Sequence, residues 1–175
     1  MTPVRRLSEE HEEPRRDIAT DLSGPWEAIV NGKKRFFHTP TIIDAFIGWP
    51  EISPVDAKTE QPIADLVEQE WFRRHPRPAR VIFDQGGEFD NHVFHGSCIK
   101  WHIRPVSITA KNQRANVIVE RMHRVLGDML RVQLVKHHEK EDPITDLTSA
   151  AAHAMRATVH GVTKDASSQL VLPRT

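Results

Sequence analysis

The sequence has one cysteine, no net charge and no long apolar run, and each shortage excludes something. A single thiol, Cys98, in 175 residues cannot build an intrachain disulfide framework, and it suits a reducing compartment. No apolar stretch approaches the ~20 residues that span a bilayer. Met1 to Arg6 has no apolar core behind it, so no secretory signal is expected and the chain reads as soluble and intracellular. The 24 basic and 24 acidic residues cancel, unlike a protein that coats nucleic acid generically. There are no internal repeats and no low-complexity tract. What remains is one ordinary domain, long enough to bury a core without staples.

Charge is neutral overall but uneven. Lys100, Arg104, Lys111, Arg114, Arg121, Arg124, Arg131 and Lys136 are opposed only by Glu120 and Asp128 over that span. Such a strip can dock phosphate on a neutral protein, although on charge alone it reads equally as a solvated helix face.

Residues 1–15 are polar, with Pro3 and Pro14, and read as a flexible leader; residues 16–175 form the domain. Asp17 to Leu22 alternates as a strand and stops at the turn signal Ser23, Gly24, Pro25. A second strand is expected over 35–46 and a third over 49–55, with Pro40 and Pro50 each removing a ladder donor, so the third belongs at an edge. Thr59 can cap a helix over 60–74, with Ile63, Leu66, Val67 and Trp71 at helical spacing. Ala79 to Phe83 is a short apolar run that suits a buried parallel strand. A helix over 89–101, a strand over 104–109, a polar loop over 111–115, a long helix over 116–136 and an alanine-rich helix over 143–159 complete an α/β domain, a mixed sheet flanked by helices.

Asp21 and Asp84 stand where expected strands end, the position at which α/β sheets present ligands. Gly86 and Gly87 keep the backbone after Asp84 uncrowded. Glu120 opens the long helix. Three carboxylates of this kind could hold two divalent ions for cutting or joining a phosphodiester. Singly, each also has an ordinary reading: the aspartates as turn formers, Glu120 with Arg124 as a surface pair.

Taken in order, Asp21-Leu22-Ser23-Gly24-Pro25-Trp26, Ile42-Ile43-Asp44, Trp49 and Glu51, Val81 through Phe89, Asn112, Ala115-Asn116 and Glu120-Arg121-Met122-His123-Arg124 resemble the integrase core of gypsy-class LTR retrotransposons and retroviruses. That family's signature is Asp, Asp and Glu with 35 residues between the last two, as between Asp84 and Glu120. The likeness covers roughly residues 16–171. It implies an RNase H-like fold with a five-stranded mixed sheet, and catalytic, metal-holding roles for Asp21, Asp84 and Glu120 with two Mg²⁺ or Mn²⁺ ions. Element ends and target DNA become the substrates, met by Lys111, Asn116, Arg121, Arg124 and Arg131. A homodimer acting in the nucleus is implied as well.

The sequence departs from the family pattern in places. Asn112-Gln113-Arg114 stands where Asn-Pro-Gln is usual. One cysteine cannot supply the family's zinc domain; His92, His95 and Cys98 share a spacing of three but read as scattered, since structural zinc takes four ligands. A truncated, inactive relic that binds DNA non-specifically is the alternative reading.

Overall fold

The computed structural model describes residues 14–57, 59–107, 123–124, 126–128 and 143–157. Lys111, Asn116, Glu120, Arg121 and Arg131 lie outside the described residues, as do residues 1–13 of the leader and the 111–115 loop.

β1 (Asp17–Val30) and β2 (Lys33–Asp44) form one long antiparallel hairpin. Its two-residue loop is Asn31 and Gly32, with φ of 52° and 72°. Positive φ at both positions is the tight hairpin turn whose twist matches the strands, and Asn-Gly is its strongest sequence signal. The first strand therefore does not stop at Leu22 as expected. Ser23, Gly24 and Pro25 instead make a bulge: Ser23 faces Thr39 and Trp26 faces Phe37, one residue more on β1 than on β2. Gly24 takes φ +116°, and a Cβ there would lie 3.0 Å from the Phe37 carbonyl oxygen.

β3 (Pro50–Ile52) pairs antiparallel with β2, and Val55 adds an isolated bridge to His38. β4 (Arg80–Phe83) runs parallel to β1, and β5 (Arg104–Ser107) parallel to β4. The sheet has five strands in the order β3-β2-β1-β4-β5, mixed as expected. The two prolines do not disturb it. His38 exchanges bonds of 2.7 and 2.8 Å with Val55, and the Asp44 N–H reaches Trp49, so alternate residues of β2 aim their N–H at β3. Pro40 shares that parity and falls opposite Ser53, where the ladder is interrupted. Pro50 lies on the edge strand, facing outward, where no donor is needed.

Helix α1 (Glu60–Val67) continues into a π-helical turn, Glu68–Phe72, closed by the Arg73 N–H on the Glu68 carbonyl at 3.0 Å. Helix α2 (His92–Lys100) begins at Asn91, whose side chain accepts the Phe94 N–H. Both cover one face of the sheet, packing Ile63, Val67, Trp71, Phe94 and Cys98 on Ile18, Ile42, Val81 and Phe83. Helix α3 (Pro143–Ala157) and the helical residues 126–128 cover other strand surfaces, with Leu126, Leu147, Ala151 and Met155 around Ile52, and Ile144 on Ala28 and Phe37. Among the described residues no helix is long and apolar enough to cross a membrane.

Candidate functional site

Side-chain parity decides where the predicted carboxylates point. Ile18 and Leu22 on β1, and Val81 and Phe83 on β4, belong to the core under α1 and α2. Successive strand residues face opposite sides. Asp21 and Asp84 therefore share the other face. They are also neighbours in register: Thr20 pairs with Phe83 at the last step of the parallel ladder, and Asp21 and Asp84 come next. Asp21 does not close its strand, however. It lies within β1, opposite Thr41 of β2, at the level where β4 gives out.

His123 reaches over this pair. Its Nδ1 is 3.2 Å from Asp21 Oδ2, with the histidine side chain 18% and the aspartate 28% exposed. Burial holds the imidazole below its usual pKa, against the pull of the Asp84 carboxylate, which raises it. At neutral pH the ring is uncharged, so the 3.2 Å contact is a hydrogen bond rather than an ion pair. His123 Nε2 is buried and has no hydrogen-bond partner. Asp21 Oδ1 accepts the Leu22 N–H at 2.7 Å.

The helical stretch is set at this height by a glycine. A Cβ on Gly127 would meet Trp26 Cη2 at 3.2 Å, so the helix backbone rests against the indole. That indole is itself fixed: Nε1 donates to Thr39 Oγ1 at 3.1 Å, and Thr39 Oγ1 lies 2.6 Å from Ser23 Oγ. The β1 bulge, Trp26 and Gly127 together carry His123 onto Asp21.

Asp84 is exposed, and its Oδ1 accepts the Gly86 N–H at 3.0 Å. A Cβ on Gly86 would sit 2.9 Å from that oxygen and 2.8 Å from Glu88 Cδ. Glycine here lets two carboxylates lean together. Arg124 is exposed beside His123. An open depression of about 750 Å³ adjoins the same loop, lined by Thr59, Glu60, Gln61, Gly87, Glu88 and Val93; no predicted site residue lines it.

Among the described residues, no three His, Cys, Asp or Glu side chains are grouped as they would be around one ion. Asp21 and Asp84 are two of the three predicted carboxylates. Their oxygens, placed on one face at adjacent strand positions, fit part of a donor set for a hard divalent cation. His92, His95 and Cys98 are not brought together: Cys98 is in the core, its thiol pushed up to about 12 by burial, while His92 is exposed and His95 contacts Asp90 at 3.3 Å. Sequence reasoning gave His123 no role, although it stands three residues after Glu120 in a predicted helix, the spacing that shares a face.

No family model matches the sequence. The chain is similar to Gag-Pol polyproteins of Saccharomyces cerevisiae transposons: 29% identical over 126 residues to that of Ty1-DR4, covering 70% of this chain and 8% of the polyprotein. The TyH3 polyprotein matches equally, with 7% of its length covered. The chain thus spans less than a tenth of these relatives. Among solved structures, the fold matches a simian T-cell lymphotropic virus intasome complex with PP2A regulatory subunit B56 gamma at TM-score 0.74 and 17% identity, over 99% of this chain and 62% of that one. It matches the catalytic core of BIV integrase at 0.69 and 17%, over 89% and 93%. The HTLV-2 integrase core in complex with magnesium matches at 0.68 and 16%, over 89% and 95%. The fold is RNase H-like, that of integrase catalytic cores.

Proposed function

We propose that the chain is the catalytic core of a retroelement integrase, a metal-dependent polynucleotidyl transferase whose site is Asp21, Asp84 and Glu120. The observation that carries the reading is the meeting of Asp21 and Asp84 on one sheet face, at the end of the parallel ladder, under a helical stretch that follows Glu120 in sequence. The sequence likeness to Ty1 polyproteins and the fold likeness to retroviral cores support it. The narrower gypsy assignment rests on the order of the motifs.

Asp21 is shared between two divalent ions, Mg²⁺ or Mn²⁺, with Asp84 holding one and Glu120 the other. Such ions supply an activated oxygen nucleophile and a stabilised leaving oxygen. In end processing, water attacks a phosphodiester near the element's 3′ end and the terminal nucleotides leave. In strand transfer, the new 3′-hydroxyl attacks a target phosphodiester and one target 3′-oxygen leaves, so one phosphodiester replaces another. Lys111, Asn116, Arg121, Arg124 and Arg131 meet the DNA backbone, contacts that position DNA without reading its sequence. The chain acts as a homodimer on element ends and target DNA in the nucleus.

The test is disintegration of a branched DNA by the purified chain in Mn²⁺, a reaction that demands less assembly than integration. Activity is expected in the wild type and absent in Glu120→Gln and Asp84→Asn. A folded wild-type chain without activity would overturn the enzymatic reading in favour of an inactive core that binds DNA non-specifically.

A further inference from the structure

We infer that His123 is a nitrogen donor to the cation held at Asp21 and Asp84, and that the site therefore takes Mn²⁺ and other borderline first-row ions in preference to Mg²⁺. The inference rests on the integrase-core reading and adds a ligand to it. Adjacent donors on an octahedral ion with bonds of ~2.1 Å stand ~3.0 Å apart. His123 Nδ1 and Asp21 Oδ2 are 3.2 Å apart, so one ion can meet both with little movement of either side chain. The backbone cannot swing the ring away, because Leu126 packs with Trp26 and Gly127 rests on its indole. No hydrogen bond at Nε2 holds the ring in a competing orientation. Asp84 completes the set from an exposed side chain whose Oδ1 is hydrogen-bonded to Gly86. Mg²⁺ favours oxygen donors throughout, whereas an imidazole nitrogen suits the later first-row ions.

A plain His–Asp hydrogen bond would look the same without metal, and the two accounts part once Mn²⁺ is bound. Mn²⁺ is titrated into the full chain, and the bound ion is examined by pulsed EPR for coupling to ¹⁴N. Nitrogen coupling is expected in the wild type and lost in His123→Asn, which offers an oxygen instead. Mn²⁺ affinity should fall about tenfold in that variant, while Mg²⁺ affinity changes by less than about threefold. Mn²⁺ binding that depends on Asp84, as shown by Asp84→Asn, but carries no ¹⁴N coupling overturns the inference and leaves the carboxylate site standing. Coupling that survives in His123→Asn overturns it too. Mn²⁺ binding indifferent to both Asp21→Asn and Asp84→Asn overturns the integrase-core reading along with it. The comparison of wild type with Asp84→Asn needs no folded His123 variant.

Discussion

Glu68 lies in the π-helical turn, 7% exposed, with Arg73 Nη2 at 2.7 Å, Lys100 Nζ at 3.1 Å and Ser97 Oγ at 3.3 Å. The hydrogen bond from Arg73 lowers its pKa most, burial works against it, and Lys100 adds to the lowering, leaving the carboxyl at about 2. A depressed carboxylate stabilises the fold above its unfolded pKa, 4.5 here, and that stabilisation fades as pH falls toward about 2. Urea midpoints between pH 5 and 3 should therefore drop more steeply for the wild type than for Glu68→Gln; parallel curves would show that the pairing contributes nothing. At this scale the sequence was legible where chemistry and position coincide. Asp21 and Asp84 stood out beside turn signals and glycines. Glu68 did not, because its burial depends on Lys100 and Ser97, about thirty residues on. His123 was visible as a letter in a motif, but its contact to Asp21 spans most of the chain.

Among elements, short apolar strands and capped helices were read to within a few residues. β4 at 80–83 and α2 at 92–100 fell inside the spans expected from the apolar run and from the helical pattern. The error lay in the first hairpin. Ser23, Gly24 and Pro25 carry turn chemistry, yet pairing with β2 resumes at Trp26 and runs to Val30. The turn is Asn31-Gly32, a signal present in the sequence and passed over. Inside the expected helix 60–74, no local feature announced the shift to a π-helical turn. Gly127 shows how an element is placed by what it lacks: its missing side chain is filled by Trp26. Gly127→Leu should lower stability by roughly 1–3 kcal/mol through overpacking. It should also lift the helix from Asp21 and weaken Mn²⁺ binding. Thermal unfolding and Mn²⁺ titration on the same sample check both, and unchanged metal binding would detach the helix's height from the site.

The molecule as a whole is tied by contacts between distant parts of the chain. Arg156 of α3 donates to the Pro50 carbonyl at 3.0 Å, pairs with buried Glu51 and lies 4.7 Å over the Trp49 ring, so α3 is clamped to the edge of the sheet. The tryptophans sample separate regions: Trp71 and Trp101 beneath α1 and α2, Trp26 under Gly127, Trp49 at the edge. Urea unfolding followed by far-UV circular dichroism and by tryptophan fluorescence should give coincident single transitions. Separated midpoints would mean that the two sides of the sheet fold independently, as a decaying copy would. The sheet's composition was legible from strand patterns, but the order β3-β2-β1-β4-β5 was not, since pairing across more than sixty residues leaves no local mark. That order has a mechanical consequence. Asp21 is laced into the ladder with β2 at Thr41, whereas Asp84 stands one step beyond its strand, on exposed backbone. The two carboxylates are thus an anvil and an adjustable jaw: a cation of different radius, or a phosphate arriving between them, is accommodated by Asp84 while Asp21 keeps the frame of reference.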